Sequence, residues 1–211
     1  MKGLFIVVDG IDGSGKSDMV KRIHNYLFSR SKSYRILTTR EPTNGTYGGR
    51  IREILVKEKK PGSSGKELMG LFLKDRREHL KKSIEPFLQN SNKNELNIVV
   101  CDRYYYSNMA FQGAQGFDVS LIIRNNMQFR KPDIAFILDV DASIALKRIE
   151  SRKKEKFEAA GFLQKTRNNF LRLPELLKDN IKIVDSSRGL EEVFDEIKRE
   201  LDKILMIPKA L

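Results

Sequence analysis

The stretch Val7 to Val20, VVDGIDGSGKSDMV, limits what this chain can fold into more than any other part of it. Residues Gly10 to Ser17 fit G-x-x-x-x-G-K-[ST], and they stand between an apolar run, Leu4 to Val8, and a segment whose apolar residues Met19, Ile23, Tyr26 and Leu27 recur at helical spacing. Strand, glycine turn, helix is the setting of a phosphate-binding loop. Glycine permits a tight wrap, so backbone N–H groups and the N-terminus of the next helix surround a polyphosphate. Gly10, Asp12, Gly13, Ser14, Gly15, Lys16 and Ser17 are the candidate ATP-binding residues, with Lys16 reaching the β- and γ-phosphates and the Ser17 hydroxyl ligating Mg²⁺.

Further β-branched runs follow at 34–39, 97–102, 133–140 and 181–186, which with 4–9 makes five expected strands. Helically spaced apolar residues lie between them, for example Leu68, Leu71 and Phe72, then Val193, Ile197, Leu201 and Leu205. Apolar strands alternating with helices predict an α/β fold. The expectation is a three-layer P-loop NTPase architecture with a five-stranded parallel sheet, covered by helices on both faces and joined by right-handed crossovers. The polar loops at 41–49, 59–67 and 89–95 are too short to separate domains, so residues 1–211 are read as a single domain. GSSGK at 62–66 lacks the phosphate-loop spacing and reads as a helix start capped by Ser63 or Ser64.

Composition removes several classes of function. The apolar run at the start is too short for a signal-peptide core or a membrane span, which makes a cytoplasmic protein the expectation and a membrane partner unexpected. One cysteine, Cys101, leaves no disulfide framework, and its place at the end of a strand reads as a small buried hydrophobe. Forty Lys and Arg against 28 Asp and Glu give a net charge of +12, a field that attracts phosphate. The basic residues are scattered except at Lys147 to Lys156, so a nucleotide is the expected partner rather than nucleic acid. Asp102 closes a strand-like run where an acid can hold the shell of a Mg²⁺ ion. No N-K-x-D run is present to read guanine.

TREPTNGTYGGRIREIL (39–55), LFLKDRREHL (71–80), DRYYYSNMAFQG (102–113) and KPDIAFILDV (131–140), following the glycine loop in that order, resemble the motif set of thymidylate kinases. That resemblance implies ATP-dependent phosphorylation of dTMP to dTDP, with Mg²⁺ as cofactor and a homodimer as the assembly. It implies a base pocket in which Phe72 stacks on thymine and Arg76 donates to O4, with Asn108, Phe111 and Gln112 around the base and an amide oxygen accepting N3–H. A donor-only arginine suits O4 and offers nothing to the amino group of cytosine. The family likeness further places Arg103 and Arg52 on the acceptor phosphate and Asp12 on the 3′-hydroxyl; Glu41 orders Mg²⁺ or the acceptor end, and Arg40 is a secondary phosphate contact.

Read as residues alone, Phe72 and Phe111 serve equally as core, and Gln112 as a turn cap. Some family members carry a catalytic arginine inside the phosphate loop, where this chain has Gly13, so the last cation is expected from a lid at about 148–160. Arg152 is the first candidate there, then Lys153 and Lys156, with Arg148 against adenine; a solvated helix face is the other reading of that charge run. His24 and His79 receive no chemical role. A kinase for another nucleotide or deoxynucleoside, and a non-catalytic P-loop regulator, stand as the alternative functions.

Overall fold

The computed structural model describes residues 3–57, 64–90, 92, 94–149 and 156–206, the side chains of 156–159 excepted. Five parallel strands form its sheet: β1 (Leu4–Gly10), β2 (Tyr34–Arg40), β3 (Leu96–Asp102), β4 (Ile134–Asp139) and β5 (Ile181–Asp185), in the order β2-β3-β1-β4-β5. The register runs Phe5 to Val99, Ile6 to Ile134, Leu37 to Val99 and Ile137 to Ile183. Every residue of β1 is buried, as a central strand flanked on both edges and both faces must be.

Side chains alternate along each central strand, and the two sets build two cores. Leu4, Ile6 and Val8, with Ile98, Val100, Phe136 and Leu138, face helices α1 (Lys16–Arg30) and α9 (Leu190–Met206). Phe5 and Val7, with Val99, Cys101, Ala135 and Ile137, face α5 (Tyr105–Ala114) and α8 (Lys156–Leu176). Cys101 is a buried free thiol in that second core. Between the strands and these helices run α2 (Thr46–Lys57), α3 (Gly65–His79), a π-helical turn at Leu80–Ile84, α4 (Glu85–Gln89), α6 (Val119–Asn126) and α7 (Ala142–Arg148).

The outer strand β2 has no fully buried residue and β5 has one, because each has a neighbour on one side only and carries a solvated cation, Arg35 or Lys182. Helix α3 does begin after Ser64, but that side chain makes no capping bond, and Ser63 lies outside the described residues. Gly65 starts the helix against the Phe117 ring, which a Cβ there would strike at 2.4 Å.

A third, smaller cluster of Ile51, Ile54 and Leu68 with Leu71 and Phe72 joins α2 to α3. Its position depends on Gly48, where a Cβ would stand 1.9 Å from the Thr43 carbonyl oxygen. Gly49 has nothing within 4 Å of the same atom. Gly48→Ala is therefore expected to cost about 1–3 kcal/mol through overpacking, a fall of several °C in the thermal midpoint. Gly49→Ala, relieved of glycine's entropy in a helix, should hold or raise that midpoint in the same differential scanning experiment.

Candidate active site

Helix α1, after β1, covers one face of the sheet, and α5, after the neighbouring β3, covers the other. Where the connections of adjacent strands diverge, a crevice opens at the carboxyl ends of the strands. The glycine loop forms one lip of this crevice, and Arg103 forms the other. Arg103 has φ 69°, and among the described residues it is the non-glycine residue with positive φ. Such a conformation persists only where neighbours enforce it.

Asp9 enforces it. Its carboxylate is fully buried at the end of β1; Oδ2 accepts the backbone N–H groups of Tyr104 (3.1 Å) and Ser107 (3.0 Å), while Oδ1 accepts from Gly10 N (2.8 Å) and Ser107 Oγ (2.7 Å). Residues 104 and 107 open α5, so an acid on a neighbouring strand satisfies donors that the helix cannot satisfy itself. Burial pushes the Asp9 carboxyl above its ordinary range, and Arg103, Ser107 and Lys16 act against that shift.

In the loop, Gly10, Gly13 and Gly15 have φ of 143°, 79° and 90°. A Cβ on Gly13 would lie 2.3 Å from the Ala145 carbonyl of α7, so the loop packs backbone against backbone there and has no room for a side chain. Lys16 Nζ donates to its own loop at Ile11 O (2.7 Å). Desolvation and the neighbouring Arg103 hold the Lys16 amine down to about 8. Ser17 Oγ donates to Asp102 Oδ2 (3.2 Å), and the other Asp102 oxygen is buried with no hydrogen-bond partner. An unpartnered carboxylate oxygen beside a hydroxyl is an all-oxygen donor set that fits a hard divalent cation whose remaining positions are filled by phosphate and water.

Beside the loop lies a cleft of about 560 Å³ whose wall includes Asp12, Glu41, Arg52, Phe72, Arg76, Arg103, Asn108, Phe111 and Gln112. These nine come from five segments far apart in sequence, and with Arg40, which lines the same cleft, they are all of the acceptor-side residues expected from the sequence. Asp12 belongs to both regions, as a loop residue ion-paired to Arg103 across the cleft mouth. Arg103 also donates to Ser107 Oγ (3.0 Å) and lies over the Phe111 ring at 5.4 Å. Arg52 donates to the carbonyls of Pro42 (3.1 Å) and Thr43 (2.6 Å). Phe72 is half-buried, so it serves the α2–α3 cluster and the cleft wall together.

Arg76 is 1% exposed and lies between the rings of Tyr104 and Phe129. Its Nε and Nη2 both donate to Oε2 of Glu41 (2.9 and 2.7 Å), and Nη1 donates to Oδ1 of Asn108 (2.8 Å) and of Asn126 (2.6 Å). Four of its five N–H groups are thereby used, and one remains. Because arginine only donates, Asn108 must turn its oxygen to it; Asn108 Nδ2 then donates to Gln112 Oε1 (2.9 Å). Each amide oxygen accepts one bond here and keeps a second lone pair. The Glu41 carboxylate, in the wall of the same cleft, is likewise engaged by Arg76 and His79.

Arg148 donates to Ser186 O (2.9 Å) in the turn after β5, on the far side of the loop from the cleft. Arg152 and Lys153 lie outside the described residues; Lys156 opens α8 but its side chain is also outside them. Sequence reasoning missed Asp9, Asp75, His79 and Asn126. Asp75 holds the 41–45 turn, accepting Thr43 N (2.9 Å) and Thr43 Oγ1 (2.6 Å). Only Asp9, an acid at the end of an apolar strand, carried a visible signal.

A thymidylate kinase family model matches residues 8–197. Similar proteins include a probable thymidylate kinase of Pyrococcus horikoshii, 37% identical over 202 residues, covering 93% of this chain and 95% of the relative. The thymidylate kinase of Desulfotalea psychrophila is 36% identical over 206 residues (96% of each chain), and a probable thymidylate kinase of Archaeoglobus fulgidus is 36% identical over 208 residues (98% of each).

With Lys16 held at about 8 in the free protein, its neutral fraction grows as pH rises through that value. A bound triphosphate favours the ammonium form. Nucleoside triphosphate binding near pH 8.5 should therefore take up a fraction of a proton, and affinity should fall above pH 8. Titration calorimetry in buffers of different ionisation heat measures that uptake directly; a buffer-independent heat would exclude Lys16 as the titrating contact.

Proposed function

The chain belongs to the thymidylate kinase family, and we propose from that premise that its glycine loop holds MgATP while the neighbouring cleft holds dTMP. It is a nucleoside monophosphate kinase, a phosphotransferase that converts dTMP and ATP to dTDP and ADP. The observation that carries the assignment of sites is Asp12, which belongs to the loop and to the cleft wall, so the two ligands meet end to end.

In this reading the loop amides and Lys16 hold the triphosphate, with Arg148 and the turn after β5 toward adenine. Ser17 and Asp102 hold Mg²⁺, which when bound screens charge between the phosphates. Arg103 and Arg52 grip the acceptor phosphate with guanidinium forks, and Asp12 accepts the 3′-hydroxyl. Phe72 stacks on the base, Arg76 gives its one remaining N–H to O4, and Asn108, Gln112 and Phe111 complete the pocket. The amide N–H groups of Gln112 and the second lone pair of each amide oxygen are what the Arg76–Asn108 chain leaves for the pyrimidine edge. Arg152, in a lid at about 148–160, supplies the final cation. The acceptor oxygen is already anionic, so orientation and charge stabilisation replace a strong base. Residues 1–211 act as one P-loop domain, in a cytoplasmic homodimer, a reading supported by the family assignment. Among the described residues no helix is long and apolar enough to cross a membrane.

A coupled ADP-release assay offering dTMP, dUMP, dCMP, AMP and thymidine in parallel tests the substrate. dTMP should be fastest, with dUMP behind it by about 10 to 200-fold, the worth of one methyl group in an apolar pocket. A purine preference would contradict Arg76 as the base reader. Lys16→Ala should lower kcat by about a hundredfold or more, since a preorganised charge contact commonly contributes a few kcal/mol to the barrier. Undiminished turnover would remove Lys16 from the mechanism.

A further inference from the structure

His79 is the last residue of α3, and 5% of it is exposed. It stands three positions after Arg76, on the same helix face, and both side chains converge on Glu41. Arg76 takes Oε2 of that carboxylate, and His79 Nδ1 approaches Oε1 at 3.2 Å. A carboxylate only accepts, so Nδ1 carries a proton; Nε2 pairs with the Thr39 hydroxyl, which can donate or accept, at 2.7 Å. The Glu41 end alone fixes a proton on the ring. The imidazole also forms part of the wall of a second cleft, lined by Thr38, Thr39, Lys82 and Ser83 and also by Ser17 and Asp102, so it separates the buried Glu41 from solvent on that side.

Glu41 is 3% exposed, and with only Arg76 attached its carboxylate could turn about the bond to its side chain. The histidine removes that freedom, because the two oxygens are then held from two directions. Whatever orients the carboxylate orients the guanidinium, and the guanidinium in turn sets Asn108 and Gln112 through the bonds described above.

We propose that His79 is a positioning residue for nucleotide recognition: through Glu41 it fixes the Arg76 guanidinium so that one N–H is aimed at the pyrimidine. The side-chain bonds Thr39–His79–Glu41–Arg76–Asn108–Gln112 run toward the acceptor cleft, while His79 shares the second cleft with Ser17 and Asp102, so KM for ATP is the control that separates the two sides. This rests on the cleft being the dTMP pocket, which turnover of the unaltered enzyme with dTMP tests separately.

The experiment compares His79→Ala, His79→Asn and His79→Gln in the full chain. Asparagine places an N–H where Nδ1 is and keeps the donor to Glu41; glutamine reaches the Nε2 position and keeps only the contact with Thr39. His79→Ala and His79→Gln should raise KM for dTMP about tenfold, the usual worth of a hydrogen bond to a charged group, with KM for ATP within twofold of the unaltered enzyme. His79→Asn should recover KM for dTMP to within about threefold. Titration calorimetry with dTMP on the folded protein should give the same ranking. Equal loss for both substrates, asparagine as poor as alanine, all three variants unchanged, or variants too unstable to purify would each mark His79 as structural and overturn the proposal.

Discussion

A single buried carboxylate, Asp9, ties the two halves of this site together. It ends the central strand that launches the glycine loop, and it binds the first turn of the helix that follows Arg103. An ionised group at zero exposure is costly unless donors surround it, and four hydrogen bonds together with the guanidinium of Arg103 at 3.9 Å supply that compensation. The same bonds hold Arg103 in its left-handed backbone conformation. The glycine loop and Arg103 thus share one anchor, and their separation is fixed by the pairing of β1 with β3 rather than by a loop.

On the acceptor side, order spreads from a different source. Arg76 has no lone pair to offer, so every group touching it must present an acceptor, and that polarity passes along the amides to Gln112. A network that begins at a donor-only residue has one self-consistent orientation. With the pyrimidine placed as proposed, selectivity among bases would arise from hydrogen-bond direction, which discriminates more sharply than pocket volume, because a mismatched edge leaves a buried group unpaired.

The sheet, the phosphate loop and the membership of the cleft were legible in the sequence, because each has a local or ordered signature. β1, β3 and β4 are continuous apolar runs, and Gly10 to Ser17 has a fixed spacing. The connections inside the cleft were not legible. Asp75 meets Thr43 across 32 positions and His79 meets Glu41 across 38, and neither pairing leaves a periodic trace. The partners of Glu41 were hidden for the same reason: both lie on a helix whose approach to β2 only the fold defines. The missing cap at Ser64 shows the opposite case, where a local pattern was present but the start of the helix was set by its packing on Phe117.

The contact between Gly13 and the Ala145 carbonyl bears on how enzymes of this kind can diverge. An arginine cannot be introduced into the phosphate loop here by substitution alone, because the obstacle is main chain and no trimming of Ala145 removes it. Relocating the catalytic charge would require α7 to shift first, a change that destroys packing before any new activity arises.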